Sequence, residues 1–572
     1  MIQSVLPDPT PAAFSLMEKG EVQQAEEIFR KILATEAYQP DALHGLGCLA
    51  RMRGQNGLAI GLVGKALQNQ GVPFARRARM HITLGLALLG EGHAEPARAA
   101  LSVARALQPE DPRAHVALAD ALIALGRRDD AVFALHAAKR VALDDALIRT
   151  RLGQMAFERG KLDDAAAEFR HVVAKLPFDG AAHANLGAVL FTANALDEAR
   201  DVLLQAVACG AVSPQTFNNL GLVQMALGDL PSARASLERA HDDASDDLRI
   251  AGNLGTVLSE LGETEAASSI FERIAIASPE SAEGAMAVFN RSTIMLGRGQ
   301  FYEGWKAFEA RRNLIAPGRS ASAIWDGSAG NSPITIVAEQ GLGDMVQFLR
   351  FLPLAAQRRP LRIRFPEGTQ DLVSRVIELD VSCLQPSNGS ADAEISLLSL
   401  PFVMGLNEAP AKAPYLRVST LPEPDLVGLT WSGNPTYRFD RRRSVDVKLL
   451  EILKDIPGLR FLGLQRGDIP DWMEKPSDIE TVGGLADAVG RCALVISVDT
   501  LVAHLAGAVG RPLWLLNRFG GDWRWKDVSW YENVLQFRPQ APSPPAESWP
   551  DVIEELAVAL RWWSEQGSGS GL

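Results

Sequence analysis

A 34-residue period extends through the first half of this 572-residue chain and constrains its fold more than any other feature. A small residue that follows a leucine recurs at this spacing, and an alanine recurs twelve positions after it. A period of this length predicts helical hairpins that bury their apolar faces only by stacking on one another. The small residues are Gly85, Ala119, Gly153, Gly187, Gly221 and Gly255, and the alanines are Ala97, Ala131, Ala165, Ala199, Ala233 and Ala267.

The pattern resembles the tetratricopeptide repeat, a helix–turn–helix unit. Its small residues let the two helices of a unit approach closely, and a third recurring residue supports the left-handed backbone that ends the first helix. These turn residues are Gly92, Gly126, Gly160, Asn194, Gly228 and Gly262. When the same repeat positions are followed in both directions along the chain, about nine units cover residues 10–312. We expect a right-handed superhelix with a concave face.

Asparagine occupies one further repeat position in the last four units, and residues at one repeat position form a row along the concave face. Such a row suits an extended peptide, because a carboxamide donates to a backbone carbonyl and accepts from a backbone N–H. Asparagine is also common at this position, where it can bond within its own repeat, so both interpretations stay open. The four residues are Asn185, Asn219, Asn253 and Asn290.

From about residue 333 the period disappears, and short apolar runs alternate with amphipathic stretches. This alternation predicts parallel β-sheets with helices on both faces. The predicted strands are 334–338, 361–365 and 393–398 in a first series, and 427–431, 461–465, 494–498 and 512–517 in a second. We therefore expect an α-solenoid (tetratricopeptide superhelix) followed by two α/β lobes. The expected domains are 1–312 for the repeats, 313–425 for the first lobe, 426–566 for the second lobe with a closing helix, and 567–572 for a flexible tail.

Composition and charge exclude several classes of protein. The net charge of −12 argues against a large nucleic-acid interface, which needs a basic surface. No apolar run reaches the roughly 18 residues that span a bilayer, and the N-terminus lacks the pattern of a secretory signal. Because the four cysteines have neither zinc spacing nor a Cys-x-x-Cys pair, we expect buried thiols in a reducing, cytoplasmic compartment. They are Cys48, Cys209, Cys383 and Cys492.

Residues that follow predicted strands are candidates for a binding site, because ligands of open α/β sheets bind at the carboxyl ends of strands. After the strand at 334–338 come Gly341 and Gly343, which allow a tight loop, and then Asp344. The carboxylate of Asp344 could be a general base that activates a hydroxyl acceptor, or it could cap the helix expected over 344–358. Spacing alone favours the cap.

Two further strand ends carry basic and polar residues. Arg438, Arg441, Arg442 and Arg443 follow the strand at 427–431, and their guanidinium groups could clamp phosphate oxygens or form a solvated basic loop. Gln465 ends the next strand, where a turn could present it to a ligand.

The strand at 494–498 has the most informative end. A helix follows Asp499 and Thr500, and a helix N-terminus at a strand's carboxyl end is an anion site by geometry. Thr500 can donate to a phosphate, and His504, the only histidine of the second half, could assist a departing phosphate. Alternatively, Asp499 is the N-cap and His504 is a packed helix residue. The second half contains no Asp-x-Asp, so we expect no metal held by that motif.

Five segments in order carry a wider resemblance: EQGLGDMVQFLRFLP, GLTWSGNPTYRFDRRRS, LQRG, VDTLVAHLAGAVGRP and DWRW…SWY. They resemble bacterial tetratricopeptide proteins with a glycosyltransferase domain, similar to the heptosyltransferases of the GT-B superfold, and the resemblance covers nearly the whole chain. The architecture is also similar to the O-linked N-acetylglucosamine transferases and to the flagellin glycosyltransferases of alphaproteobacteria.

The resemblance implies an inverting glycosyltransferase that needs no metal or other cofactor and uses a nucleotide-sugar as co-substrate. It implies that Asp344 is the base, that the repeats hold an acceptor protein, with flagellin the best candidate, and that the sugar is a nonulosonic acid. Leu501 stands where the family usually has glycine, which leaves the geometry of the phosphate contact open. The expected donor-binding residues are Gly341, Gly343, Arg442, Arg443, Gln465, Asp499, Thr500 and His504.

Two other functions stay open. A repeat-based adaptor or secretion chaperone would bind its partner through the repeats, and its α/β half would no longer catalyse a reaction. A glycosyltransferase of the same fold could also act on a lipid-linked or free glycan instead of a protein.

Overall fold

The structure is a computed structural model that describes residues 9–315, 323–386, 393–408, 410, 412, 414–435, 437, 439–528 and 530–566. Two predictions lie outside the described residues: the tail at 567–572 and the contribution of Arg438 to the basic loop.

Eighteen consecutive helices from Thr10 to Phe308 are joined by short turns, and neighbours such as α5 and α6 or α13 and α14 pack as hairpins. Their bounds are α1 (Thr10–Glu18), α2 (Val22–Thr35), α3 (Pro40–Met52), α4 (Asn56–Leu67), α5 (Phe74–Gly90), α6 (Ala94–Leu107), α7 (Pro112–Ala124), α8 (Arg128–Val141), α9 (Ala146–Glu158), α10 (Leu162–Lys175), α11 (Gly180–Thr192), α12 (Leu196–Ala208), α13 (Pro214–Leu227), α14 (Leu230–Asp243), α15 (Leu248–Glu260), α16 (Thr264–Ala277), α17 (Ala282–Gly297) and α18 (Phe301–Phe308).

The repeat pattern acts through small buried residues and left-handed turns. Gly228 ends α13 with a φ of 89°, and Asn194 adopts the same kind of backbone conformation with a φ of 61°. The recurring alanines are buried. A larger side chain at these positions would push the two helices of a hairpin apart. The predicted α-solenoid is therefore confirmed for the N-terminal region.

A four-stranded parallel sheet follows the helices, with the order β1-β4-β2-β3. Because β3 and β4 lie on opposite sides of β2, the winding reverses at β2, and open sheets of this kind bind ligands at the carboxyl ends of the strands beside the reversal. The elements are α19 (Arg311–Ile315), β1 (Ala323–Ile324), β2 (Ile334–Val337), α20 (Leu342–Phe348), α21 (Leu352–Ala356), β3 (Leu361–Arg364), α22 (Gln370–Ser374), β4 (Ala393–Ser396) and α23 (Leu400–Val403).

A second parallel sheet has five strands in the order β6-β5-β7-β8-β9. Its winding reverses between β5 and β7, which places their carboxyl ends side by side. The elements are β5 (Glu423–Thr430), β6 (Arg460–Gly463), α24 (Val482–Arg491), β7 (Cys492–Val498), α25 (Leu501–Val509), β8 (Leu513–Leu516), β9 (Val534–Phe537) and α26 (Pro545–Glu565). Short 3-10 helices lie at Leu349–Phe351, Val381–Cys383, Leu397–Ser399, Asp440–Arg442, Val447–Leu453 and Trp523–Trp525.

The predicted strands all occur, and the two parallel sheets confirm the α/β class. The strands β1 and β9 were not predicted: β1 has only two residues, and β9 carries no continuous apolar run. The helix expected over 344–358 begins earlier, at Leu342, and is divided by a 3-10 turn before Pro353. Proline at the start of α21 fits because the first turn of a helix leaves its N–H groups unpaired.

The chain divides into two compact units, Met1–Ala193 with Gln205–Ala211, and Asn194–Leu204 with Val212–Leu572. In the second unit the last hairpin and both sheets share one core, in which the ring centroid of Trp305 lies 5.7 Å from that of Phe348 and 5.9 Å from that of Trp523. The boundaries expected at 312 and 425 stay predictions.

All four cysteines are free thiols, but only Cys492 is buried, and the other three are half-buried. The expectation of buried thiols is therefore correct for one cysteine of the four.

Replacement of Gly85 by valine tests the close packing inside a hairpin. A Cβ at Gly85 would lie 2.4 Å from Cγ of buried Leu101. Ala119 shows that this repeat position accepts one extra carbon, so we expect valine to cost about 1–3 kcal/mol of unfolding free energy through overpacking. The control is Gly64→Val in α4, where no neighbour lies within 4 Å of the added Cβ. Urea unfolding followed by far-UV circular dichroism measures both, and equal midpoints would contradict the prediction.

Candidate functional site

The loop after β2 is held in an uncommon backbone conformation. Gln340 has a φ of 63°, a left-handed value that costs free energy for a residue with a side chain and is frequent at functional sites. The backbone N–H of Gly341 donates to Oδ2 of Asp344 at 3.2 Å, and Arg524 donates to Oδ1 of Asp344. The N-cap of α20 is therefore Gly341 and not Asp344, which lies in the first turn of the helix, accepts from the backbone of the N-cap and also forms an ion pair.

The N-terminus of α25 is not capped by a side chain. Thr500 is the N-cap, and its hydroxyl lies 3.2 Å from Oγ of Ser497 and does not accept from the first turn of the helix. Oδ1 of Asp499 accepts from Nε1 of Trp525 at 2.8 Å, so Asp499 is not the cap. Amide groups at the start of α25 are thus available to an anion.

The loop after β2 and the start of α25 lie in direct contact. A Cβ at Gly343 would lie 2.9 Å from Cδ2 of His504 and 3.7 Å from Cα of Leu501. Only glycine permits this approach without displacement of the histidine ring. The structure therefore brings the neighbours of Asp344 and Thr500, which are far apart in sequence, into contact.

His504 is a packed helix residue, as the alternative interpretation had it. Its ring is 5% exposed, Nδ1 lies 2.9 Å from the hydroxyl of Tyr531, and the ring stacks on Trp525 with centroids 5.2 Å apart. Burial and the charge of Arg524 lower the pKa of His504 to about 3. At neutral pH the imidazole is uncharged, so it can donate one hydrogen bond but cannot supply an imidazolium proton.

Arg524 connects the two lobes at this site, and its role was not predicted from the sequence. Besides Asp344, its guanidinium group donates to Oε1 of Gln347 at 2.6 Å and to Oδ1 of Asp522 at 2.8 Å. The side chain is 10% exposed, so its positive charge acts in a medium of low polarity. The signal for it is the Asp-Trp-Arg-Trp segment, in which an arginine lies between two tryptophans.

Arg443 and Gln465 lie behind the strand ends of the second sheet. Arg443 donates to the backbone carbonyl of Asp499 at 2.9 Å and to Oδ1 of Asp440 at 2.8 Å. Gln465 accepts from the backbone N–H of Ser432 at 3.2 Å. Both side chains hold the loops that follow β5 and β7, and Arg443 remains close enough to the start of α25 to add positive charge there.

Arg442 is committed to a different partner. Its guanidinium group is buried and donates to Oε2 of Glu260, at the end of repeat helix α15, at 2.6 Å, and Arg518 donates to the same carboxylate. Arg441 pairs with Asp197 at 2.9 Å. The structure therefore places the charge of Arg442 against the repeats.

The acidic groups of the site differ in their environments. Burial and the neighbouring charge of Asp522 raise the pKa of Asp499. Burial opposes ionisation of Asp522 as well, but the charge and hydrogen bonds of Arg524 outweigh it and lower the pKa of that carboxyl. Although burial alone would raise it, the charges of Arg442 and Arg518 lower the pKa of Glu260 to about 2. The arginines thus hold Asp522 and Glu260 as anions.

Two members of the asparagine row form side-chain hydrogen bonds with other repeat residues, and whether the row binds a peptide stays a prediction. Nδ2 of Asn253 donates to Oδ1 of Asn218 at 2.7 Å, which is a contact between repeats, and Asn219 accepts from Gln215 at 2.8 Å. Asn253 and Asn290 nevertheless line one cavity of about 250 Å³. Asn185 belongs to the other compact unit.

A larger cavity, of about 560 Å³, lies beside Trp525. Lys526 and Arg538 line it, as do Phe519 and Gln536. Burial lowers the pKa of Lys526. Trp525 therefore lies between this cavity and Asp499.

Within the described ranges, no three histidine, cysteine, aspartate or glutamate side chains form a group that could hold a metal ion. No helix in the described part of the chain is both long and apolar enough to cross a membrane.

Comparison with known proteins identifies the repeats. Residues 88–154, 150–214 and 224–288 match the tetratricopeptide repeat family. Protein FlbA of Caulobacter vibrioides is 27% identical over 347 residues, which cover 50% of this chain and 57% of FlbA. This chain thus spans little more than half the length of that curated relative.

Two solved structures are also similar. Pseudomonas aeruginosa pilF is 17% identical with a TM-score of 0.34, covering 37% of this chain and 96% of that chain. Cut9–Hcn1, an APC/C hetero-tetramer, is 19% identical with a TM-score of 0.35, covering 46% of this chain and 51% of that chain. Both TM-scores are low, so neither structure bears on the function of this chain.

The buried ion pairs of Glu260 predict a specific pH dependence of stability. The pKa of this carboxyl is about 2 when folded, against 4.5 for an unperturbed glutamate, so its contribution is complete above pH 4.5 and is lost as the pH falls towards 2. We expect Glu260→Gln to cost about 3 kcal/mol at neutral pH, because it leaves Arg442 and Arg518 buried without a carboxylate.

Urea unfolding at a series of pH values measures this difference, which should shrink between pH 4.5 and 2. The control is Glu238→Gln, since that exposed pair with Arg234 should contribute less than about 0.5 kcal/mol. A difference that stays constant with pH would contradict the assignment.

Proposed function

We propose that this chain is an inverting, metal-independent protein O-glycosyltransferase of the GT-B fold. It would transfer a sugar from a nucleotide-sugar to a serine or threonine hydroxyl of a protein that the repeats hold. One observation carries the proposal: Gly343, the neighbour of Asp344, packs against His504 and Leu501, so that the segment with Asp344 lies against the uncapped first turn of α25. A carboxylate next to an anion site is the arrangement that a base and a leaving phosphate require.

The donor phosphate would bind at the start of α25. Backbone N–H groups and the hydroxyl of Thr500 would donate to its oxygens, and Arg443, held against the carbonyl of Asp499, would add positive charge. The carboxylate of Asp499 would not bind the phosphate, because it is an acceptor that already bonds to Nε1 of Trp525. The main chain of Asp499 and Thr500 would serve better than the carboxylate.

The base would have to be released before it acts. Both oxygens of Asp344 accept hydrogen bonds, one from Gly341 and one from Arg524, so the carboxylate is occupied while that ion pair holds. A donor phosphate is a second anion that Arg524 could bind. A shift of the guanidinium group from Asp344 to the phosphate would release the carboxylate of Asp344. The acceptor oxygen would then bond to the anomeric carbon as the carbon–phosphate oxygen bond breaks. Asp344 would take the hydroxyl proton, and the phosphate would leave with the bonding electrons.

Flagellin is the acceptor, and a nonulosonic acid the sugar, that the sequence resemblance implies for this chain. The tetratricopeptide repeats support a protein acceptor in general, and the cavity that Asn253 and Asn290 line gives a peptide backbone a place to bind. A glycan acceptor would leave these contacts without a role.

An adaptor without turnover is the second candidate, and the ion pair of Asp344 with Arg524 favours it. In that case Arg524 would only neutralise the carboxylate, and the α/β half would serve as a scaffold.

Removal of the base separates these functions. We expect Asp344→Asn to reduce the rate of sugar transfer by at least about 10³-fold, because an asparagine side chain cannot accept the proton of the acceptor hydroxyl. The residues that bind the donor are unchanged in this variant. Intact mass spectrometry of the acceptor measures transfer, and calorimetry measures donor binding, which should persist. Glu367→Gln, an exposed carboxylate of the same lobe, is the matched control. Retained turnover in Asp344→Asn would refute the base, and absence of nucleotide-sugar binding by the unchanged chain would favour the adaptor.

Changes in the asparagine row distinguish a protein acceptor from a glycan. We expect Asn253→Ala combined with Asn290→Ala to raise KM for a protein acceptor about tenfold, since two backbone hydrogen bonds are lost, with kcat nearly unchanged. Transfer to a free glycan, if any occurs, should not change. The exposed Asn313→Ala serves as control. An equal loss on both acceptors would mean that the row only supports the fold.

A further inference from the structure

The buried hydrogen bond between His504 and Tyr531 decides which nitrogen of the imidazole carries the proton. Nδ1 of His504 lies 2.9 Å from the hydroxyl of Tyr531, and either group can donate, because a neutral imidazole has one N–H and one lone pair. Nε2 forms no hydrogen bond with the residues that the structure describes, and a Cβ at Gly343 would lie 3.6 Å from it. The direction of the bond therefore decides whether Nε2 presents an N–H or a lone pair on the side of the loop after β2.

The ring of Tyr531 reaches His504 because α25 has a glycine on the same face. His504 and Gly507 are three positions apart and so share one face of the helix. A Cβ at Gly507 would lie 2.2 Å from Cδ1 of Tyr531, so only glycine permits this packing without displacement of the phenol ring. The contact between the phenol and the imidazole is thus built into the packing of α25.

A positive charge lies beside this hydrogen bond. Cζ of Arg350 is 4.8 Å from the ring centroid of Tyr531 and 4.4 Å from that of Tyr415. Its guanidinium group donates to the backbone carbonyls of Gln347 at 3.0 Å and Trp530 at 2.9 Å, and no carboxylate in the described part of the chain pairs with it. A buried cation without a counter-ion acts strongly on its neighbours, because the surrounding medium is of low polarity.

The charge of Arg350 favours a proton on Nε2 of His504. Arg350 packs on Tyr531, the partner of Nδ1, so its positive charge acts on the Nδ1 side of the imidazole. A positive charge on that side stabilises a lone pair at Nδ1 and disfavours an N–H there. The ring proton is therefore better placed on the far nitrogen.

The strength of the acceptor favours the same arrangement. The proton of Tyr531 could pass to Nδ1 of His504 or to the oxygen of Tyr415, whose own hydroxyl donates to the backbone carbonyl of Val346 at 3.1 Å. An imidazole nitrogen is a much stronger base than a phenol oxygen, so the bond from Tyr531 to Nδ1 is the more stable one. Burial raises the pKa of Tyr531, which keeps the phenol protonated as a donor.

The remaining charges near His504 largely balance. Arg524 is paired with Asp344 and Asp522, so its effect on the two nitrogens is offset by two carboxylates. Burial and the charges of Arg524 and Arg350 lower the pKa of His504 to about 3, although Asp522 opposes them. The imidazole therefore carries a single proton at neutral pH.

We propose that Tyr531 and Arg350 hold His504 as the neutral tautomer with its proton on Nε2. The imidazole then presents an N–H to an anionic oxygen at the start of α25, whereas the other tautomer would present a lone pair and repel it. Tyr531 and Arg350 are positioning residues, since they act through the histidine. The tautomer does not depend on the transferase activity, but the identity of the anion as a donor phosphate rests on the proposed function.

Nitrogen NMR of the full chain with ¹⁵N-labelled histidine determines the tautomer without any ligand. The signals of His504 are those missing from the spectrum of His504→Phe, a variant that keeps an aromatic ring beside Trp525. At neutral pH we expect Nε2 to show the chemical shift of a protonated imidazole nitrogen and Nδ1 that of an unprotonated one. The reverse pattern would overturn the proposal.

Tyrosine-to-phenylalanine variants test what sets the tautomer, because each keeps the ring and removes only a hydroxyl. In Tyr531→Phe we expect the shifts of the two nitrogens to move towards each other, since Nδ1 loses its donor and both tautomers become populated. Tyr415→Phe should leave the pattern unchanged, as should the control Tyr302→Phe, which is exposed on α18. An unchanged pattern in Tyr531→Phe, or a changed one in Tyr415→Phe, would contradict the assignment.

Inorganic pyrophosphate tests whether the N–H meets an anion. We expect its addition to move the Nε2 signal of His504 more than the Nδ1 signal. By calorimetry, His504→Phe should raise the Kd for pyrophosphate about tenfold. Binding that leaves the Nε2 signal unmoved would overturn the inference. Absence of binding would overturn the anion site of the proposed function and the ligand named here, whereas a proton on Nδ1 would overturn this inference alone.

Discussion

The buried guanidinium group of Arg524 holds the candidate site together. It bonds to Asp344 and Gln347 from the loop and helix after β2, and to Asp522 beside the second sheet. Without it, the carboxylates of Asp344 and Asp522 would lose the cation that both contact, and removal of one partner of a buried ion pair is costly. Every account of the chemistry therefore has to explain what Arg524 does when an anionic ligand arrives. The simplest answer that balances the charge is that Arg524 exchanges a carboxylate partner for the phosphate.

A second buried carboxylate, that of Glu260, connects the last repeats to the α/β half. Glu260 of α15 neutralises Arg442 and Arg518, and the indole ring of Trp305 in α18 packs against Trp523. Removal of residues up to about 300 would leave both arginines unpaired and expose this core. The contribution of the repeats to acceptor binding is therefore better tested by point substitutions in the full chain than by truncation. The same packing would hold an acceptor-binding surface in a fixed relation to the α/β half.

Much of the fold could be predicted from the sequence, because its signals are periodic and local. Close packing at positions such as Gly85 forces a small residue every 34 positions, and buried strands appear as short apolar runs. The short or partly exposed strands β1 and β9 gave no such signal. The approach of Gly343 to His504 was expected only from the resemblance, since no local pattern connects residues so far apart.

Less of the candidate site could be predicted, because its charges pair over long sequence distances. A row of arginines predicts a phosphate clamp or a solvated loop, yet Arg442 is buried against a repeat helix and Arg441 pairs with Asp197. Asp344 lies in the first turn of α20, whose N-cap is Gly341, and its carboxylate pairs with Arg524, which is 180 positions away in sequence. Which partner each charged group contacts depends on the tertiary structure, and no local sequence pattern predicts it.

A crystal structure of the full chain with a bound nucleotide-sugar would test the central claim most directly. Our account predicts phosphate oxygens within hydrogen-bond distance of Thr500 and of the first amides of α25. It also predicts that Arg524 contacts the phosphate and that the anomeric carbon faces Asp344. Phosphate bound only in the cavity beside Lys526 and Arg538, with the Asp344–Arg524 pair unchanged and the sugar turned away from it, would contradict the account.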